Sequence, residues 1–273
     1  MQAQFHRGIA RNGRSRSFDH RDSRSASLAV CYAISGDLQK ALQAFDHVHA
    51  SHRDRYGNDH PNTQRFLANL AQAMKDADKQ VSRHFSRLEF ENAETLLRAM
   101  EKHHGPHKHL IGDILQKLHV VLLAQKEYAD ALTSIDKWVA TLDSEKQSHQ
   151  ELLAYAKTSK AVCYLELDSR AQAEQMAKDA LTIAEIDPIN HNRCQSVLGV
   201  CLADKQQFED GEILVIEAFA RLEAMREDIP TELSWVLRRV AERVVTVYEM
   251  ANKQDEAAKW KEKLKAIDDF TRQ

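Results

Sequence analysis

Two strings in this sequence have the residue types of a phosphotransfer loop, His20-Arg21-Asp22 and His52-Arg53-Asp54. In such a loop the Asp takes the proton of the attacking hydroxyl, and an Asn five residues further on holds a magnesium ion. The fifth residue on is Ser27 in the first string and Asp59 in the second, and neither string follows a strand pattern. No Gly-rich phosphate loop accompanies them, so both read as chance. A second group, His103, His104, His107 and His109, has side chains that transition metals favour. Gly105-Pro106 places it on a loop, with no ordered set of Cys or carboxylates beside it. The expectation is that no catalytic residue, resident metal or cofactor is present. The four cysteines, Cys31, Cys163, Cys194 and Cys201, form no Cys-x-x-Cys pair and read as small core-lining residues suited to a reducing cytosol.

With chemistry set aside, the scaffold becomes the subject. Among 273 residues there are only 8 Gly and 4 Pro, while 43% are hydrophobic, so helices should dominate. A net charge of -3 gives no general argument for nucleic acid or an anionic membrane. No apolar run approaches the roughly 18 residues needed to span a bilayer. One skeleton recurs along the chain, clearest in Leu198-Gly199, Leu202, Phe208, Gly211, Val215 and Ala218. Small residues at Gly199 and Gly211 allow two helices to approach, and large ones fill the holes beside them. The same order appears in Leu28-Ala29, Tyr32, Gly36, Leu38, Ala41, Phe45 and Val48, and again in Leu118-His119, Leu122, Tyr128, Ala131, Ile135 and Trp138. The small residues of the second helices fall at 41, 93, 131, 173, 211 and 257, in steps of 38 to 52. That spacing predicts about six helix hairpins in an all-α solenoid. The second hairpin carries about ten extra residues within Lys75 to Ser86, which either lengthen its first helix or form a polar excursion. Ahead of it, Asp59 or Asn62 is expected to cap the helix that Pro61 opens.

This skeleton resembles the tetratricopeptide repeat, with large residues at positions 7 and 11, small ones at 8, 20 and 27, and an aromatic near 17. The resemblance implies an α-α superhelix whose repeats run approximately 25–57, 61–104, 110–143, 150–185, 190–225 and 232–268. Together they make one solenoid over 25–270, behind a flexible basic leader over 1–24. Residues 56–71, with Tyr56-Gly57-Asn58-Asp59-His60-Pro61 and Asn69-Leu70-Ala71, resemble the repeats of kinesin light chains. From Asn192 to Leu264 the chain is similar to the carboxy-terminal repeat tail of planctomycete-type bacterial serine/threonine protein kinases, ending in Asp255-Glu256-Ala257-Ala258-Lys259-Trp260. No kinase domain is in the chain, so only the scaffold role follows.

In tetratricopeptide repeats, positions 2, 5, 9, 12 and 13 of the first helix line a concave wall. Position 9 is Val30, Val120, Val162 and Val200 in four repeats and Gln72 in the second. The resemblance therefore implies a peptide-binding stripe of Val120, Val162 and Val200, with Arg65, Asn69 and Gln72 gripping the peptide backbone; the alternative is that the valines only pack adjacent hairpins. The leading expectation is a non-catalytic, cytoplasmic, bacterial scaffold for a protein or peptide partner, binding no nucleic acid and no membrane. The alternatives are a kinase's regulatory tail, or a module that self-associates through Trp235, Val236 and Trp260 of its terminal repeat.

Overall fold

The computed structural model describes residues 24–104, 110–142, 149–183 and 186–271. The expected leader, apart from residue 24, lies outside the described residues. Within them the chain forms α-helices, turns and short 3-10 segments, and no strand. The helices are α1 over 24–35, α2 (Leu38–Tyr56), α3 (Pro61–Ser86), α4 (Phe90–His103), α5 (Ile111–Ala124) and α6 (Tyr128–Val139). They continue with α7 (Gln150–Glu166), α8 (Arg170–Leu181), α9 (Pro188–Asp204), α10 (Phe208–Ala224), α11 (Trp235–Met250) and α12 (Gln254–Thr271). Consecutive helices pair into hairpins, giving the all-α stack that the repeat spacing predicts.

The turns explain the regularity. Between the two helices of each pair one residue lies in the left-handed region: Gly36, Leu88, Lys126, Asp168, Gln206 and Asn252, with φ from 56° to 82°. In every case the next residue's amide donates to the carbonyl five residues earlier, as in Asp37 to Tyr32 at 3.0 Å and Gln207 to Leu202 at 2.9 Å. This is the bond that closes a helix through a left-handed residue, and it reverses the chain within three residues. Five residues after each left-handed position comes a small, buried one: Ala41, Ala93, Ala131, Ala173, Gly211 and Ala257. The crossing of α9 and α10 is close: a Cβ on Gly199 would stand 2.7 Å from the Gly211 carbonyl oxygen. A side chain at either glycine would force the helices apart.

Helix starts follow from local chemistry. Asp187 caps α9 by accepting from the Asn190 amide at 3.0 Å, with Pro188 in the first turn. At α3 the cap is neither Asp59 nor Asn62 but His60, whose Nδ1 accepts from the Asn62 amide at 3.2 Å. The extra residues of the second hairpin simply lengthen α3 to 26 residues. Ala77, Val81 and Phe85 recur every four residues and keep one face buried throughout that extension.

Two compact units divide the chain at Ile114/Leu115. Unit 1 packs α2 against α3 and α4 around Leu42, Phe45, Leu70, Met74 and Leu97. Unit 2 builds its core on Leu118, Ile135, Trp138, Phe219 and Val244. Cys163, Cys194 and Cys201 are buried as expected, whereas Cys31 is exposed because α1 buries only Ala29 fully.

Candidate functional site

Unit 1 holds an open cleft of about 610 Å³. Val30 on α1 forms one wall and is 43% exposed. The floor is aromatic. Phe66 is buried at the base, with the His52 ring 4.7 Å from it, Tyr56 5.3 Å from His52, and His60 stacked on Tyr56 at 4.6 Å. The opposite wall is the exposed face of α3, from which Arg65 and Asn69 reach the cleft. These two lie four residues apart and so share one helix face. Arg65 sits with its guanidinium carbon 5.0 Å from the Phe66 ring. Among the described residues Arg65 makes no ion pair, and the Asn69 amide makes no side-chain hydrogen bond. Gln72, the third polar residue expected here, lies on the same exposed helix but is held by Asp76 at 3.1 Å and does not line the cleft.

In unit 2 the expected apolar stripe is not on the surface. Val120, Val162 and Val200 are 6%, 3% and 2% exposed, so they are core residues rather than a peptide-facing wall. For Val162 on α7 and Val200 on α9 the reason is the packing of first helices on one another: α7 lies against α9, and α9 against α11. Polar residues complete the seal. Arg243 on α11 donates to Ser196 Oγ on α9 at 2.8 Å and pairs with Glu166 on α7 at 3.3 Å. Arg238 and Arg239 both pair with Glu242, at 2.5 and 2.8 Å. Burial, with Glu166 nearby, pushes the Tyr128 hydroxyl up to about 12. Glu242 is held below the usual carboxylate range by its arginine partners, against an opposing burial cost that is the largest single influence on it. Deeper in the same wall, Arg193 is 1% exposed, donates to Asn190 Oδ1 at 2.9 Å, and lies 5.8 and 5.6 Å from the Tyr155 and Trp235 rings.

Those of the remaining candidates that lie among the described residues have partners within the fold. His52-Arg53-Asp54 lies within α2, and Arg53 pairs with its own neighbour Asp54 at 2.9 Å. His20-Arg21-Asp22 lies outside the described residues. His103 meets Asp46 at 3.0 Å and His104 the Glu101 carbonyl at 2.6 Å, while His107 and His109 lie outside the described residues. Among the described residues no three His, Cys, Asp or Glu side chains gather as metal ligands. No described helix is long and apolar enough to cross a membrane. Trp235 donates to the Glu232 carbonyl, Val236 is 1% exposed, and Trp260 packs edge-on against Phe219 at 4.9 Å. The three residues expected to drive self-association are thus engaged internally. His119 stands where the repeat pattern has a small residue, stacked on Trp138 at 5.1 Å. Burial, with the Arg193 charge adding to it, pushes this imidazole down to about 3.

The class that the fold defines is an all-α array of helix hairpins, with the cleft lying in unit 1. No protein-family model matches the chain, and no curated protein does. Among solved structures it is similar to PilW, a widely conserved type IV pilus biogenesis factor, at 13% identity and a TM-score of 0.45 over 90% of this chain and 92% of that one. A tetratricopeptide repeat protein from Parabacteroides merdae is similar at 16% identity and a TM-score of 0.43, over 90% and 79% of the two chains. A putative kinesin light chain repeat protein of Podosopora anserina follows at 16% identity and a TM-score of 0.33, over 93% and 97%. All three overlays are loose, and nothing about the cleft or its ligand follows from them.

Proposed function

We propose that the chain is a non-catalytic scaffold of the tetratricopeptide kind that holds a segment of a protein partner, and that the holding site is the cleft of unit 1. One observation carries this reading. Arg65 and Asn69, placed on a ligand-facing register by the repeat pattern, line an open cleft and have no ion pair or side-chain hydrogen bond of their own among the described residues. Exposed polar groups on a rigid helix, beside the partly exposed Val30 and Tyr56, are what an extended peptide needs: donors for its backbone and apolar contact for its side chains. Gln72 would extend the polar row once released from Asp76. Val120, Val162 and Val200 serve by stiffening unit 2, not by touching the ligand.

The likeness of 192–264 to kinase-associated repeat tails favours a bacterial, cytoplasmic setting and a second reading, in which this scaffold docks a serine/threonine kinase or its substrate. The three buried thiols fit a reducing compartment. Site-specific photo-crosslinking tests the placement. A crosslinker at position 30 or 69 is expected to capture the partner in cells, and one at the exposed Ile213 of α10 is not. Capture from position 213 alone would move the site off the cleft and overturn the reading.

A further inference from the structure

Resting on the scaffold reading above, we infer that the cleft of unit 1 selects an acidic segment, one that presents Asp or Glu side chains to Arg65. The chain as a whole has more acidic than basic residues, 41 against 38. None of the ten residues lining the cleft is Asp or Glu. Arg65, His52 and His60 are there instead, with the Asn62 and Asn69 amides as further donors. The lining therefore departs from the composition of the chain as a whole, toward groups that attract or hydrogen-bond an anion.

The arginines of the molecule sharpen the point. Arg53, Arg98, Arg170, Arg221, Arg238, Arg239 and Arg243 each have a carboxylate within 3.3 Å. Arg65 has none among the described residues, and neither has the exposed Arg83 of the same helix, but of the two only Arg65 lines the cleft. Its guanidinium carbon lies 5.0 Å from the centre of the Phe66 ring, a cation–π distance, and the planar fork of an arginine can offer two parallel donors to one ligand. A carboxylate fits that fork with two parallel hydrogen bonds. The Val30 and Tyr56 surfaces beside it give the residues between the carboxylates an apolar place to lie. Nucleic acid fits less well, because one uncompensated arginine neutralises only about one phosphate, and affinity for a polyanion grows with the number neutralised.

The test is a selection from a display library of random peptides on the full chain, with counter-selection on an Arg65→Glu variant. Arg65 is exposed, so the variant should keep its fold, which circular dichroism checks. The expected outcome is enrichment of peptides rich in Asp and Glu. An enriched peptide should bind about tenfold or more weakly to Arg65→Glu, and a Gln/Asn copy of it should lose affinity similarly. Raising NaCl from about 50 to about 300 mM should weaken the acidic peptide more than its neutral copy. Enrichment of neutral or basic peptides, or equal binding by Arg65→Glu, would overturn this inference and leave the scaffold reading standing. Failure to enrich any peptide would count against both.

Discussion

The two units apply one repeat register to opposite ends. Six residues ahead of the small position of the first helix stand Arg65 in the second hairpin, Arg193 in the fifth and Arg239 in the sixth. In unit 1 that arginine is exposed at the edge of a cleft and has no carboxylate among the described residues. In unit 2 Arg193 is 1% exposed between two aromatic rings, and Arg239 is 8% exposed and tied to Glu242. Burial holds the Arg193 guanidinium below the usual arginine range, a sign of what the closed wall costs. The lesson is that periodicity selects the face of a helix, while the neighbouring helix decides whether that face meets water. Where α7, α9 and α11 close on one another, the positions that would read a ligand become core.

The sharpest way to break this comparison is to place the same charge at equivalent positions of the two units. Val162→Glu would bury a carboxylate without a partner, and we expect it to cost about 4 kcal/mol or unfold unit 2 outright. Val30→Glu, at a partly exposed position, should stay within about 0.5 kcal/mol of the parent while abolishing capture of an acidic peptide. Urea titrations of both variants decide the matter, and equal losses would mean that the two faces are not different after all.

Acid should also separate the units. The unfolded chain protonates His119 near its ordinary value of 6.5, whereas the folded chain keeps it neutral down to about 3. The folded state therefore binds fewer protons in that window. The stability this residue allows is present above pH 6.5 and is lost on acidification, by about 1.4 kcal/mol per pH unit between those two values. All three tryptophans, Trp138, Trp235 and Trp260, belong to unit 2, so tryptophan fluorescence follows that unit alone. His119→Phe should keep the stack on Trp138 and flatten the slope of unit 2 stability between pH 7 and pH 5. An unchanged slope would assign the acid sensitivity elsewhere.

The smallest expected effect lies at the turn of α3 and α4. Leu88 has φ 56°, a conformation that costs a side chain about 1 kcal/mol or more. Leu88→Gly should recover part of that, about 0.5 kcal/mol after the entropy that glycine adds to the unfolded chain. Thermal melts would detect it, and a net loss would show that the Leu88 side chain contributes packing despite being 36% exposed.

Much of this was legible in the sequence, for reasons that vary by residue. The six small positions of the second helices were readable because close helix crossings exclude large side chains, as the Gly199/Gly211 contact shows. Of the six left-handed turns only Gly36 carried a readable signal. Leu, Lys, Asp, Gln and Asn fill the others, because the main-chain bond to the carbonyl five residues back outweighs the local strain. Arg65 and Asn69 could be placed because they share a surface with one helix. For Val162 and Val200 the sequence left open a groove wall or packing between hairpins, because their exposure depends on α7, α9 and α11 meeting, which no single helix reveals. The His60 cap was missed because an imidazole nitrogen rarely fills that role, and the Cys31 exposure because a helix pattern does not say whether anything packs outside it.

The turns have one more consequence. Each is closed by a main-chain bond, so the fold of the turn does not depend on which side chain stands at its apex. When a hairpin is copied within a gene, that site can drift through charge and size while the two helices stay in step. Descendant hairpins can then diverge in surface while remaining interchangeable in shape. One conformation is thus held at six sites by six different residue types.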